Sequence, residues 1–196
     1  MRWLVFLLLC WPLTVWADLQ SEDQYAALKN DILVTNQAEF AADVAAGNHQ
    51  KIADAYNLNK APAFFVWRTA LARRDIYEGK VVDVPPTQTT WNWATFQSQS
   101  VQQRDSWEEM LRDGVINPSL DNVRANYNTI FGGTGASAQQ QQFLLAISRR
   151  KALRIKALLA VTTDGNGAAS TPATLTYIGG IDLRDVAHAL NGVPLQ

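Results

Sequence analysis

Five basic residues follow one another closely within a long apolar stretch, and their charges could bind an acidic partner. The run consists of Arg149, Arg150, Lys151, Arg154 and Lys156. At the spacing of an α-helix, Arg150, Lys151 and Arg154 share one side, whereas the other two lie on a nearly opposite side. Nucleic-acid binding favours a single basic stripe. The divided pattern is more typical of surface salt bridges, so we do not expect a nucleic-acid partner.

Tryptophans form a second group with binding chemistry. Trp91, Trp93 and Trp107 lie close together in the sequence, and aromatic faces of this kind stack on sugar rings. A buried Trp with a hydrogen-bonded ring N–H is the commoner use of this residue. The candidate interaction surface that the sequence offers comprises Trp91, Trp93, Arg150 and Arg154.

Residues that usually perform catalysis or bind metals are scarce. Cys10 is the only cysteine, which excludes an internal disulfide and a cysteine-based metal site, and His49 and His188 are the only histidines. The sequence has no Gly-x-Ser-x-Gly turn, no HExxH spacing and no phosphate-binding loop. Glu108 and Glu109 fit a charged helix exterior. We therefore predict a protein that is not an enzyme, with no catalytic residue, cofactor, metal or small-molecule substrate.

Length and composition describe an ordinary globular protein. The chain has 196 residues, of which 47% are hydrophobic, and its formal net charge is -1. These values predict a packed core in a single helical domain over 18–196. Nothing in the overall charge indicates nucleic acid or an anionic membrane surface.

The first residues differ from the rest of the chain. Arg2 precedes an apolar run over 3–16, and the small residue Ala17 follows it. This pattern predicts a secretory signal peptide over 1–17 and a periplasmic or secreted protein. The alternative is a start codon assigned too early, with the protein beginning near Asp18.

The stretch over 137–160 gives the longest uninterrupted helical signal, with glycines at both ends and none inside. Ser137 has the side chain of an N-cap, and the first turns are apolar on nearly every side. We therefore expect a central helix over 137–160, buried by several neighbours. The residues expected to be buried together are Phe143, Leu144, Ile147, Tyr127, Phe131 and Trp107.

Apolar spacing and glycine stops predict a mainly α-helical bundle around this central helix. The block Phe64–Trp67 fits either a short strand or the start of a helix, and Pro62 at a first helical position favours the helix. A small β-hairpin is expected near the C-terminus, over 173–181. The other predicted helices cover 22–34, 38–46, 49–58, 94–112, 119–131 and 182–190, and the predicted long loops cover 79–90 and 162–172.

Several short motifs resemble a family of small proteins encoded by tailed bacteriophages and prophages. The main ones are IADAYNL from Ile52 and PAFFVWRT from Pro62. Family members typically begin near Ser21 without an apolar leader, so a start assigned too early would imply a protein of the virion or the host cytoplasm. Further matching pieces are NPS at 117–119, VR at 123–124, IFGG at 130–133, LLA to RRK over 144–151, STPATL at 170–175 and DV at 185–186.

This resemblance implies a non-enzymatic phage protein, a virion or assembly component near the tail or the head–tail junction. Its expected partners are other phage structural subunits and copies of itself, bound through Gln-rich helix surfaces and loops. The alternative is an exported helical binding domain, in which Trp91 and Trp93 line a ligand surface.

Overall fold

The computed structural model of this protein describes residues 19, 21–79, 88–161, 165–175 and 179–192. The predicted signal peptide over 1–17 lies outside the described residues, as does most of the loop over 79–90. The fold is mainly α-helical, as predicted, and the described residues also form small two-stranded sheets. Among the described helices, none combines the length and the apolar character needed to cross a membrane.

The N-terminal helices pack against the last helix of the chain. Ser21 caps the first helix, because its hydroxyl accepts the backbone N–H of Gln24 at 3.3 Å. Asp182 caps the last helix in a capping box with Asp185. Both helix starts agree with the sequence prediction. The elements of this part are α1 (Glu22–Asn30), a π-helix (Asp31–Thr35), α2 (Gln37–Ala45), α3 (His49–Tyr56) and α10 (Leu183–Asn191).

The middle of the chain forms a second helical group. The predicted helix over 94–112 is divided, because Ser100 and Gln103 form a capping box that starts a new helix there. The elements of this group are β2 (Leu71–Ala72), α4 (Arg73–Glu78), α5 (Trp93–Gln97), α6 (Val101–Met110), β3 (Val115–Ile116), α7 (Asp121–Phe131) and α8 (Gly135–Ile147). Strands β2 and β3 pair antiparallel.

The predicted central helix over 137–160 is wrong in its extent. Helix α8 begins at Gly135 after Thr134, so Ser137 is not the N-cap, and α8 ends at Ile147. The remainder of the stretch forms β4 (Arg149–Lys151), α9 (Arg154–Leu158) and β5 (Ala160–Val161).

The physical reason for this break lies elsewhere in the chain. The apolar block expected to start a helix instead forms the buried strand β1 (Phe65–Trp67). Strand β1 pairs antiparallel with β4, with Val66 opposite Arg150. A strand with buried backbone needs a hydrogen-bonding partner, and β4 supplies it at the cost of a continuous helix.

The small sheet near the C-terminus is present, with a different partner from the one expected. Strand β6 (Thr174–Leu175) pairs antiparallel with β5, whereas we expected a return over the segment that follows it. Residues 176–178 lie outside the described part of the chain.

Most buried apolar side chains belong to two clusters. The first, here called the aromatic cluster, contains all six residues that the sequence predicted to be buried together. The second, here called the terminal-helix cluster, lies between α1, α3 and α10 and includes Leu28, Ile52, Tyr56, Ile155 and Val186. The aromatic cluster consists of Leu71, Ile76, Trp91, Phe96, Trp107, Leu111, Ile116, Tyr127, Ile130, Phe131, Phe143, Leu144 and Ile147.

Candidate functional site

The four residues of the predicted interaction surface do not lie on one surface. Trp91 and Trp93 belong to the aromatic region, Arg154 packs beside Tyr56 of the terminal-helix cluster, and Arg150 is on β4. Trp91 is only 6% exposed. Including Trp91 in a surface was therefore wrong, because its ring packs against the rings of the aromatic cluster.

Trp91, Trp93 and Trp107 also do not form a shared exposed face on which a sugar ring could stack. The ring of Trp91 stacks on that of Trp107, with centroids 5.1 Å apart and planes 19° from parallel. Trp107 is fully buried, and its ring N–H donates to the hydroxyl of Tyr77 at 3.3 Å. Both tryptophans are core residues, and Trp107 has the hydrogen-bonded ring N–H that is the commoner use of this side chain.

Trp93 is the member of the group that reaches the surface. It is 50% exposed. Its ring centroid lies 4.9 Å from that of Tyr77, 5.9 Å from that of Trp91 and 5.9 Å from that of Phe96. Three aromatic neighbours thus hold a half-exposed indole in place.

The backbone that carries Trp93 is fixed by polar contacts. Asn92 is the N-cap of α5, and its side chain accepts the backbone N–H of Thr95 at 3.0 Å. The backbone N–H of Asn92 donates to the side-chain oxygen of the buried Gln140 at 3.0 Å. Gln140 therefore anchors the segment that leads into α5.

Arg154 is also enclosed, contrary to its predicted place on a surface. Its side chain is 13% exposed, and its guanidinium lies 4.8 Å from the ring centroid of Phe40 and 4.6 Å from that of Tyr56. Its Nη1 donates to Oε1 of Glu39 at 2.7 Å. Its Nη2 lies 3.8 Å from Oδ2 of Asp31, which is too long for a hydrogen bond.

Tyr56 connects this arginine to a carboxylate. The Tyr56 hydroxyl donates to Oδ2 of Asp31 at 2.5 Å. Burial raises the pKa of Tyr56 far above its ordinary value, and the hydrogen bond to Asp31 raises it further. Burial opposes the charge of Arg154, but the hydrogen bond to Glu39 favours it and the net pKa of Arg154 is raised. The tyrosine is therefore a proton donor in a hydrogen bond, and the arginine is a permanent cation.

Backbone pairing brings these groups together from distant parts of the chain. The N–H of Arg154 donates to the carbonyl of Leu58 at 2.8 Å, and the N–H of Lys60 donates to the carbonyl of Ala152 at 2.9 Å. Asp31 begins the π-helix, an irregularity that is frequent at functional sites.

Two cavities, of about 310 and about 270 Å³, flank the guanidinium of Arg154. Lys60 and Arg154 line both of them. The first is also lined by Asn36, Glu39, Ala55, Leu58, Asn59 and Ala61, and the second by Asp31, Phe64, Ala157 and Leu158.

The rest of the basic run serves the packing of the chain. Arg149 donates to the carbonyl of Ala169, and burial lowers the pKa of Arg149. Burial also lowers the pKa of Lys156, to about 8, with a further lowering from nearby Arg150. The prediction that Arg150, Lys151 and Arg154 share one side of a helix is wrong, because the first two are on β4.

Part of the Gln-rich surface is likewise used within the chain. The side-chain amide of Gln103 donates to the carbonyls of Thr129 and Ile130, at 3.1 and 3.0 Å. These bonds satisfy carbonyls at the end of α7, which have no partner within the helix. Gln140, on α8, is fully buried.

Sequence patterns did not reveal Asp31, Glu39, Tyr56 or Lys60 as members of the Arg154 site. The helical stripe that predicted α3 gave only an apolar role for Tyr56, and nothing in the spacing links it to Asp31. Within the described residues, no group of three His, Cys, Asp or Glu side chains is placed to hold a metal ion. Comparisons with known protein families, curated proteins and solved structures give no match to this chain.

Proposed function

We propose that this chain is a non-enzymatic tailed-phage protein, a virion or assembly component near the tail or the head–tail junction. It acts by binding other phage structural subunits and copies of itself. The motif resemblance in the sequence supports the phage origin. The half-exposed, tightly held ring of Trp93 is the observation that supports a binding role.

An exposed Trp held in one position is well suited to a protein interface. Trp is enriched among the residues that contribute most to binding, because its ring buries a large area. The aromatic contacts with Tyr77, Trp91 and Phe96 restrict the indole before a partner arrives. Binding then costs less side-chain entropy than it would for a mobile ring.

The test combines virion composition with a Trp93 variant. Mass spectrometry of purified virions, and separately co-purification with portal and tail proteins, should detect the chain. Trp93→Ala should keep its melting temperature within a few degrees and lower the yield of the co-purified partner about tenfold or more, the loss that an interface hot spot gives. Leu120→Ala, at a residue of similar exposure, serves as the control and should bind normally.

Two results would contradict the proposal. Absence of the chain from virions and from portal or tail complexes, together with secretion of a cleaved chain by an uninfected host, would favour an exported binding domain. Co-purification that is unchanged in Trp93→Ala would leave the phage assignment standing and exclude Trp93 as the anchor.

A further inference from the structure

In the described part of the molecule, two cavities beside Arg154 form a polar site. They meet at Lys60 and Arg154, which line both. A ligand that enters either cavity therefore meets the same two cationic side chains. Apolar side chains also line both cavities, Leu58 in the first and Phe64 and Leu158 in the second.

Both cations have hydrogen-bonding capacity to spare. The ammonium group of Lys60 makes no hydrogen bond or ion pair with any residue in the described part of the chain, while its backbone is fixed by the bond to Ala152. In Arg154, Nη1 is occupied by Glu39, but Nη2 stands 3.8 Å from Asp31. The rings of Phe40 and Tyr56 hold the guanidinium in place. A ligand that binds Nη2 therefore does not have to immobilise the Arg154 side chain.

We propose that Lys60 and Arg154 form a binding site for a single carboxylate carried next to an apolar group, such as the C-terminal residue of a peptide. A guanidinium edge and an ammonium are the donors that carboxylates prefer in proteins. The apolar walls then take the side chain beside the carboxylate. This proposal goes beyond the proposed function, because it concerns a site in the other cluster and does not depend on virion assembly.

The fixed carboxylates of the site argue for one negative charge in the ligand. Asp31 and Glu39 formally balance Arg154 and Lys60, so the site has no net positive charge to compensate the second negative charge of a phosphate dianion. Asp31 is oriented by the hydroxyl of Tyr56. Glu39 is 49% exposed, which leaves it room to turn toward water when a ligand carboxylate takes its place.

The experiment uses N-acetyl-leucine as the probe and follows backbone amide shifts by NMR. The largest shifts should be those of Asn59 and Lys60. Their dependence on probe concentration should give a dissociation constant on the order of 1 mM, as expected for a small ligand with few contacts. N-acetyl-leucinamide, which lacks the charge, and inorganic phosphate should each bind at least about tenfold more weakly, a difference typical of one charge-assisted hydrogen bond.

Lys60→Gln provides the decisive variant, because it leaves Arg154 and its carboxylates intact. It should weaken the binding of N-acetyl-leucine about tenfold. The control is Lys51→Gln, at an exposed lysine paired with Asp43 at 3.0 Å, and it should leave the affinity unchanged. Equal binding of the amide or of phosphate, unchanged binding by Lys60→Gln, or no binding of N-acetyl-leucine would each overturn the proposal.

Discussion

The aromatic cluster and the terminal-helix cluster differ in the charge of the polar groups that lie beside them. In the aromatic cluster the buried polar contacts include pairs of neutral groups, such as the hydroxyls of Tyr127 and Ser148, 3.1 Å apart. The terminal-helix cluster borders an ionic network of Arg154, Asp31 and Glu39. Neutral hydrogen bonds cost little to bury once they are paired, whereas ions cost several kcal/mol each unless their partners compensate.

This difference separates the roles of the two regions. The aromatic cluster contains six buried aromatic side chains, Trp91 and Trp107 among them, and stabilises the fold through apolar burial. The ionic network carries an energetic cost that apolar residues of similar volume would avoid, and such sites commonly serve recognition. The following changes test whether the two regions respond as differently as their chemistry indicates.

The largest effect is expected from Ile147→Asp. Ile147 is essentially inaccessible to solvent in the aromatic cluster, so the new carboxylate would have no partner. We expect a loss of unfolding free energy on the order of 3–5 kcal/mol, measured by urea denaturation. Val115→Asp, at an exposed residue of β3, should cost much less. Similar losses for both variants would contradict the assignment of Ile147 to the core.

Arg154→Met tests the ionic network. Removing the cation leaves Asp31 and Glu39 near each other without compensation, and we expect a loss of about 2–3 kcal/mol in the same assay. The control is Arg112→Met, because Arg112 and Glu109 form an exposed pair at 2.8 Å and its loss should cost under about 0.5 kcal/mol. If Arg154→Met were as stable as the control, the network would be no more than a surface pair.

A pH-dependent effect concerns Lys156, a cation on the same short helix as Arg154 without the same carboxylate partners. Its pKa falls from 10.5 to about 8 in the folded chain, so between these values the unfolded chain binds more protons. The unfolding free energy should therefore rise with pH from about 8 to about 10.5. Below this window the cost of burying the charge is constant.

Lys156→Met should remove this rise, which denaturation at several pH values across the window would measure. The exposed Lys29→Met serves as the control and should keep the slope of the parent chain. If the unfolding free energy of Lys156→Met rose with pH as steeply as that of the parent chain, burial would not lower the pKa of Lys156.

Local signals in the sequence identified most helices and the aromatic core. The caps at Ser21 and Asp182, and the left-handed Gly192 that ends α10 at φ 72°, act through residues three or four positions away. Sequence patterns express such short-range effects directly. The six residues predicted to be buried together are also all in the aromatic cluster, because helical spacing places them on inward faces.

What the tertiary structure decided depends on pairs of segments that are distant in the chain. The stretch over 137–160 has a helical composition, yet β1 takes Arg149–Lys151 as its strand partner. Asp31, Tyr56 and Arg154 meet only because the segment after α3 pairs with the segment before α9. Periodicity reports which face of an element is apolar, but not which distant backbone will satisfy its hydrogen bonds, and that choice created both the break in the helix and the Arg154 site.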